Sequence, residues 1–361
     1  MSWLGEDEDE PYSEYDEAQI RSRPNPRGSR ARTKQRPAYE SATQGRVLTV
    51  DRGRMQVLID EGGPAERELQ ATRARELGRT GVVTGDRVDL VGDLTGEPGS
   101  LARIIRIDPR TTVLRRSADD TDEVERVIVA NAEQLLIVVA AADPEPRPAL
   151  IDRYLVAAFD AGLAPVLLVT KVDLADPTEL LAEFAPLDLT VLVTARGADL
   201  APVRARLLGR TTVAVGHSGV GKSTLVNALV PSALRATGVV NAVTGRGRHT
   251  SSSSIALRII ATADEVAVGL PAAGIVIDTP GIRSFGLGHV DPASILRSFA
   301  ATARPVADPP DGIPLAEAHD WEIVDRVAGG ELGEAGKRRL ESLQRLLDAQ
   351  GGRVLGADDP A

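Results

Sequence analysis

The chain contains no cysteine. That absence excludes disulfides, thiolate zinc sites and cysteine nucleophiles. Lysine is nearly absent too, with four residues against 38 arginines. Aromatic residues make up 3% of the chain, and none falls between positions 43 and 108. No apolar run reaches the ~20 residues that a membrane-spanning helix requires. The N-terminus is acidic and lacks the basic and apolar regions of a secretion signal. A net charge of −10 excludes a global basic field, so nucleic-acid contact would have to come from local patches. These absences read as a soluble cytoplasmic protein with no membrane partner, expected to be monomeric. At 361 residues it has room for two or three domains.

Residues 1–42 form a tail that is acidic from Glu6 to Glu17 and basic from Arg21 to Arg36. Pro24, Pro26 and Gly28 break the basic part, and the segment has too little apolar surface to offset ordering entropy. It reads either as a solvated tail or as an arm for RNA phosphates. Residues 43–110 carry five short strand patterns at 46–50, 55–59, 68–72, 86–91 and 101–107, separated by turn residues such as Asp51-Arg52-Gly53. Five strands in so short a stretch predict a small barrel of OB type. Arg52, Arg54, Arg73, Arg75, Arg79 and Arg87 give it a basic loop surface. Without aromatics, backbone contact is expected there rather than base stacking.

Residues 111–290 change character. From about Val127, apolar β-rich runs alternate with helical segments: 135–140 then 150–161, 165–169 then 178–184, 190–193 then 201–208, and 211–215 then 222–229. Two more runs follow at 255–260 and 274–277. Such alternation predicts a mainly parallel sheet wrapped by helices, an α/β class. Residues 291–361 read as helical. The clearest piece is Glu334–Ala349, with Leu340, Leu343, Leu346 and Leu347 on one stripe.

Two of the four lysines sit in nucleotide-binding patterns. Lys222 ends the run Gly216-His217-Ser218-Gly219-Val220-Gly221-Lys222-Ser223-Thr224, between a predicted strand and a predicted helix. That context is the one a phosphate loop requires. Glycines let backbone N–H groups face phosphates, and the helix N-terminus adds a favourable dipole. Lys222 is expected on the β- and γ-phosphates as a catalytic charge, and Ser223 on Mg²⁺. His217 reads as a spacer.

Lys171 lies in Thr170-Lys171-Val172-Asp173, at the C-terminal end of a buried-type strand. Ligands bind at that edge of open α/β sheets. The Asp173 carboxylate can accept from the guanine N1–H and exocyclic amine, which adenine does not offer. Thr170 stands where Asn is usual and makes fewer hydrogen bonds. Thr194 and Ala195 follow the next strand and can meet the base edge through their backbone.

The run from Gly274 to Gly281 is an apolar strand ending in Asp278, a carboxylate suited to lie near Mg²⁺. Gly281 is free to turn toward the γ-phosphate, and Ile282 stands where many GTPases place a water-orienting Gln. The Gly245–Ser252 segment offers Thr250 first, and Ser251 second, to complete the metal shell. His249 is the candidate to orient water in place of the missing Gln, or else a loop residue touching RNA or solvent.

Together these residues resemble the circularly permuted ribosome-associated GTPases of the small-subunit-dependent RsgA (YjeQ) family. The resemblance covers about residues 43–300. It rests on Val129-Ala130-Asn131, Asp152-Arg153-Tyr154, the base and phosphate motifs, Gly247-Arg248-His249-Thr250 and the run from Asp278 to Phe285. It rests also on their order, with the base motif before the phosphate loop. It implies a Mg²⁺-dependent GTPase, GTP and GDP as ligands, the small subunit and its rRNA as partners, stimulation by that subunit, and a role late in its maturation. It further implies switches at 245–252 and 281–288, the second leading straight into the C-terminal domain. The family's C-terminal zinc site uses three Cys and one His. With no Cys here, no zinc is expected, and His319 with Asp320 is too little to replace it. The competing reading is a GTP-dependent ribosome- or RNA-binding factor with negligible turnover. A P-loop kinase or ATPase is disfavoured by Asp173 and by the motif order.

Overall fold

The computed structural model describes residues 42–78, 80–117, 125–187, 189–231 and 254–279, with parts of 329–346. The expectations placed on the tail, on Arg79, on 245–252 and on 281–328 lie outside the described residues.

The first five strands are β1 (Thr43–Asp51), β2 (Arg54–Ile59), β3 (Arg67–Arg73), β4 (Arg87–Gly92) and β5 (Ala102–Ile107), each within a few residues of its expected place. They follow the order β1-β2-β3-β5-β4, and β4 pairs back onto β1 to close the barrel. Only β3 and β5 run parallel among these pairs. Alternation along each strand fills the inside with Val47, Met55, Val57, Leu69, Val88, Leu90 and Ile104. Gly45 has no room for a side chain there: a Cβ would lie 2.7 Å from Val57 and 2.9 Å from Leu90.

The larger part holds β8 (Gln134–Ala140), β9 (Ala164–Thr170), β10 (Thr190–Val193), β11 (Thr211–Val215), β12 (Ile255–Ile260) and β13 (Ala273–Asp278). Strands β10-β9-β8-β11-β13 are parallel in that order, and β12 is antiparallel to β13. Strand β8 is buried along its whole length, which explains its unbroken apolar sequence. Its residues alternate between two cores. Leu135, Ile137 and Val139 face helices α1 (Pro148–Asp160) and α2 (Thr178–Phe184). Leu136, Val138 and Ala140 face α3 (Ala201–Leu207) and α4 (Lys222–Leu229).

Two strands and one short helix were not expected. Strands β6 (Val113–Ser117) and β7 (Glu125–Ala130) pair as a separate two-stranded sheet. A short helix, α5 (Ala263–Ala267), begins at Thr262 with a reciprocal capping box to Glu265.

The barrel is joined to the larger part by paired strands and ion pairs. Thr49 of β1 pairs with Ile255 of β12, so all eleven strands apart from β6 and β7 share one sheet. At the barrel's own end, Arg110 Nε and Nη2 grip the wholly buried Asp86 carboxylate at 2.7 and 2.9 Å. Asn131, held at φ 56°, donates through Nδ2 to the Gly85 carbonyl and accepts the Thr111 N–H. The Glu61 carboxylate receives Arg46 at 3.0 Å and Arg87 at 2.9 Å, with Arg258 at 3.6 Å. At the far end of the chain, helical residues between 333 and 346 rest on α1 and α2. Arg338 pairs with Glu183 at 2.6 Å, the Ser342 hydroxyl bonds the buried Asp152 carboxylate, and Leu346 is buried.

Candidate functional site

The chain runs from β8 outward through β9 and β10, then returns to the other side of β8 for β11. The sheet order therefore reverses between β8 and β11. At such a switch point the loops leaving two neighbouring strands diverge and open a crevice. The segment 216–221 leaves β11 at that point and leads into α4.

The backbone of that segment explains its glycines. A Cβ at Gly216 would stand 2.5 Å from the Val138 carbonyl oxygen of the neighbouring strand. Gly221 caps α4 at φ 94°, in the left-handed region open to glycine. Val220 turns inward to the α3 and α4 core, while Ser218 and Gly219 are exposed. Lys222, Ser223 and Thr224 form the first turn of α4, with both hydroxyl residues exposed. The His217 ring lies with its Nδ1 2.9 Å from the Ser218 carbonyl and borders a small hollow with Pro144 and Tyr154.

Asp278 ends β13, directly beside β11 in register with Ala214. Its carboxylate forms an ion pair with Lys222 Nζ. The next residue, Thr279, is buried and donates its hydroxyl to the Ala214 carbonyl at 2.9 Å. Pairing and hydroxyl together fix the end of β13 against the start of the phosphate loop.

Thr170, Lys171, Val172 and Asp173 leave the end of β9 on the same edge of the sheet. Thr170 is buried, and its hydroxyl donates to the Val220 carbonyl at 2.6 Å, with the Val139 carbonyl also within reach at 3.1 Å. The Thr170 side chain thus ties this loop to the phosphate loop. Lys171, at φ 55°, donates from Nζ to the Asp143 carbonyl. Asp173 is exposed. The loop after β10 is stitched to the same place: Thr194 N–H donates to Val169 at 2.8 Å, and Val172 N–H reaches the Thr194 carbonyl at 3.4 Å. Ala195 follows directly.

The structure thus brings 170–173, 194–195, 216–224 and 278 to one edge. His249, Thr250, Ser251, Gly281 and Ile282 lie outside the described residues. Three groups at this edge escaped the sequence reading: the Val220 carbonyl as a partner of Thr170, the Thr279 hydroxyl, and the Asp143 carbonyl at Lys171. Each is a contact between residues far apart in the chain, which carries no local pattern. Among the described residues, no three His, Cys, Asp or Glu side chains converge as a metal cluster. The oxygen donors of Ser223 and Asp278 suit a hard cation that takes few protein ligands and keeps water and phosphate oxygens.

Residues 107–288 match the family described as RsgA GTPase. The chain is 34% identical over 276 residues to small ribosomal subunit biogenesis GTPase RsgA 1 of Vibrio vulnificus (strain YJ016), covering 74% of each. It is 39% identical over 226 residues to the RsgA of Pseudomonas savastanoi pv. phaseolicola, covering 60% of this chain and 61% of that one. Among solved structures, YjeQ from Thermotoga maritima aligns with a TM-score of 0.61 at 22% identity, over 87% of this chain and 99% of that one. YloQ, a circularly permuted GTPase, aligns with the same TM-score at 20% identity, over 90% and 98%.

Proposed function

Because the chain belongs to the RsgA GTPase family, we propose that it is a GTPase of small ribosomal subunit biogenesis, with its nucleotide along the strand ends from β9 to β13. The observation that carries this reading is the meeting, at the switch point, of Lys222 at the head of α4 with Asp278 on one side and the Thr170-anchored base loop on the other.

In this reading the backbone N–H groups of 216–221 and the α4 dipole hold the β- and γ-phosphates. Lys222 gives up the Asp278 carboxylate and moves its charge onto phosphate oxygens, where charge builds during transfer. Asp173 selects guanine by accepting from N1–H and the exocyclic amine, and the Lys171 stem covers the base. The backbone of Thr194 and Ala195 meets the base edge. Ser223, Thr250 and Asp278 would hold Mg²⁺, which neutralises charge on the transferring phosphoryl group when bound. Gly281 meets the γ-phosphate, and His249 orients the attacking water in the place of the missing Gln.

We assign residues 43–110 to the barrel, 111–290 to the permuted GTPase domain and 291–361 to a helical domain without zinc. The barrel arginines provide local positive charge for rRNA backbone on a chain of net charge −10. Small subunits should raise the GTP hydrolysis rate severalfold and large subunits should not. Equal rates with and without small subunits would remove the coupling. Lys222→Ala should lower kcat by about 10²-fold or more, the scale set by losing one preorganised charge-stabilising group. Ile282 favours slow turnover, so single-turnover hydrolysis with subunits present separates this enzyme from a static GTP-dependent binding factor.

A further inference from the structure

Strand β12 lies between the barrel and the strand that carries Asp278. Its first residue, Ile255, pairs on one side with Thr49 of the barrel and on the other with Asp278. One residue therefore connects barrel and metal-strand end in a single hydrogen-bonded row.

Strand β12 is held to the barrel at both ends. Before its first residue, the Ser254 carbonyl accepts the hydroxyl of Thr84 at 3.0 Å. Near its far end, Arg258 pairs with Glu66 and approaches Glu61 at 3.6 Å. Thr84 is itself immobilised. It is 3% exposed, and its carbonyl accepts Ala130 N–H at 3.0 Å. The next residue donates to the Val47 carbonyl at 2.8 Å. That next residue has to be glycine: Gly85 sits at φ 90°, and a Cβ there would be 2.0 Å from the Ala130 oxygen. A buried hydroxyl needs a partner, and this one reaches across to the strand leading to Asp278 rather than to its own neighbours.

We propose that Thr84 is a positioning residue for Asp278, acting through Ser254 and β12, so that the barrel is part of the catalytic apparatus as well as a partner-binding module. The proposal rests on the assignment of Asp278 to Mg²⁺ above. β11 holds the end of β13 from one side and β12 from the other, so a β12 that slides along the barrel would pull on Asp278 through their shared ladder and strain its setting beside Ser223 and Lys222. Displacements near 1 Å at a reacting centre cost up to about 10²-fold in rate.

The test compares Thr84→Val, Thr84→Ser and the unmodified protein in GTP hydrolysis against Mg²⁺ concentration. Thr84→Val keeps the shape and removes the donor. It should lower kcat about tenfold and raise the Mg²⁺ midpoint severalfold, with KM for GTP unchanged. Thr84→Ser should restore both. A folded Thr84→Val with wild-type kcat and Mg²⁺ midpoint overturns the proposal, as does Thr84→Ser behaving like Thr84→Val. If thermal unfolding shows that Thr84→Val does not fold, Glu66→Gln loosens β12 at its other end. The same Mg²⁺ shift is then expected, and its absence counts against the proposal. Absence of Mg²⁺-dependent hydrolysis in the unmodified protein would instead defeat the functional reading on which the proposal rests.

Discussion

Thr170 occupies the position where Asn is usual, and its small side chain takes part in the site by holding the phosphate loop. Its hydroxyl proton goes to the Val220 carbonyl, so the base loop and phosphate loop are fixed to each other before any ligand is considered. In Thr170→Val the Val220 carbonyl would remain buried without its donor, a loss of about 1–3 kcal/mol. Urea unfolding should show a destabilisation of that size. GTP affinity should fall, because the two halves of the nucleotide would meet loops no longer locked together. Preference for guanine over adenine should not change, since Asp173, which we propose reads the base, is untouched. The motif alone showed that a Thr here forms fewer hydrogen bonds than Asn. It did not show with what, because Val220 lies fifty positions away.

At the scale of elements, the central strands were legible because burial on both faces demands unbroken apolar runs, as in β8 and β9. The barrel strands were legible from alternation between turns. The β6–β7 hairpin was not: Arg115, Arg116, Glu125 and Arg126 interrupt its apolar pattern, and an acidic stretch replaces a turn motif. Helix α5 left a trace in Thr262-Ala263-Asp264-Glu265, the spacing of a capping box. Its five residues are too short to show periodicity. Glu265 also receives Arg204 Nε at 2.6 Å and Nη2 at 2.8 Å. These hydrogen bonds, followed by the one from the Thr262 N–H, hold its carboxyl down at about 2, below its usual 4.5. A depressed acid contributes stability above its unfolded pKa and loses it as pH falls. The attachment of α5 to α3 should therefore weaken as pH drops from 4.5 to 2. Stability measured across that window should slope less in Glu265→Gln than in the unmodified protein.

On the scale of the whole molecule, the join between barrel and GTPase sheet was the least legible feature, since it consists of pairs such as Arg258–Glu66 and Asn131–Gly85, and the barrel's own end is closed in the same way, by Arg110 on Asp86. Asp86 has no exposure and Arg110 covers it. Arg110→Ala would leave that carboxylate buried and uncompensated, which costs about 3–5 kcal/mol. Denaturant unfolding should show that loss, and Asp86→Asn with Arg110→Ala should recover part of it. The barrel's closure has a further effect on the sheet it extends. An open sheet offers two borders to which another chain can add a strand. Here one border is consumed, because the row of strands running outward past β12 curls round and β4 returns to β1. Among the described strands only β10 faces outward at the other border, with Val191 and Val193 exposed along four residues. Among the described strands of this sheet, the border open to backbone pairing with another chain is thereby reduced to a single short segment.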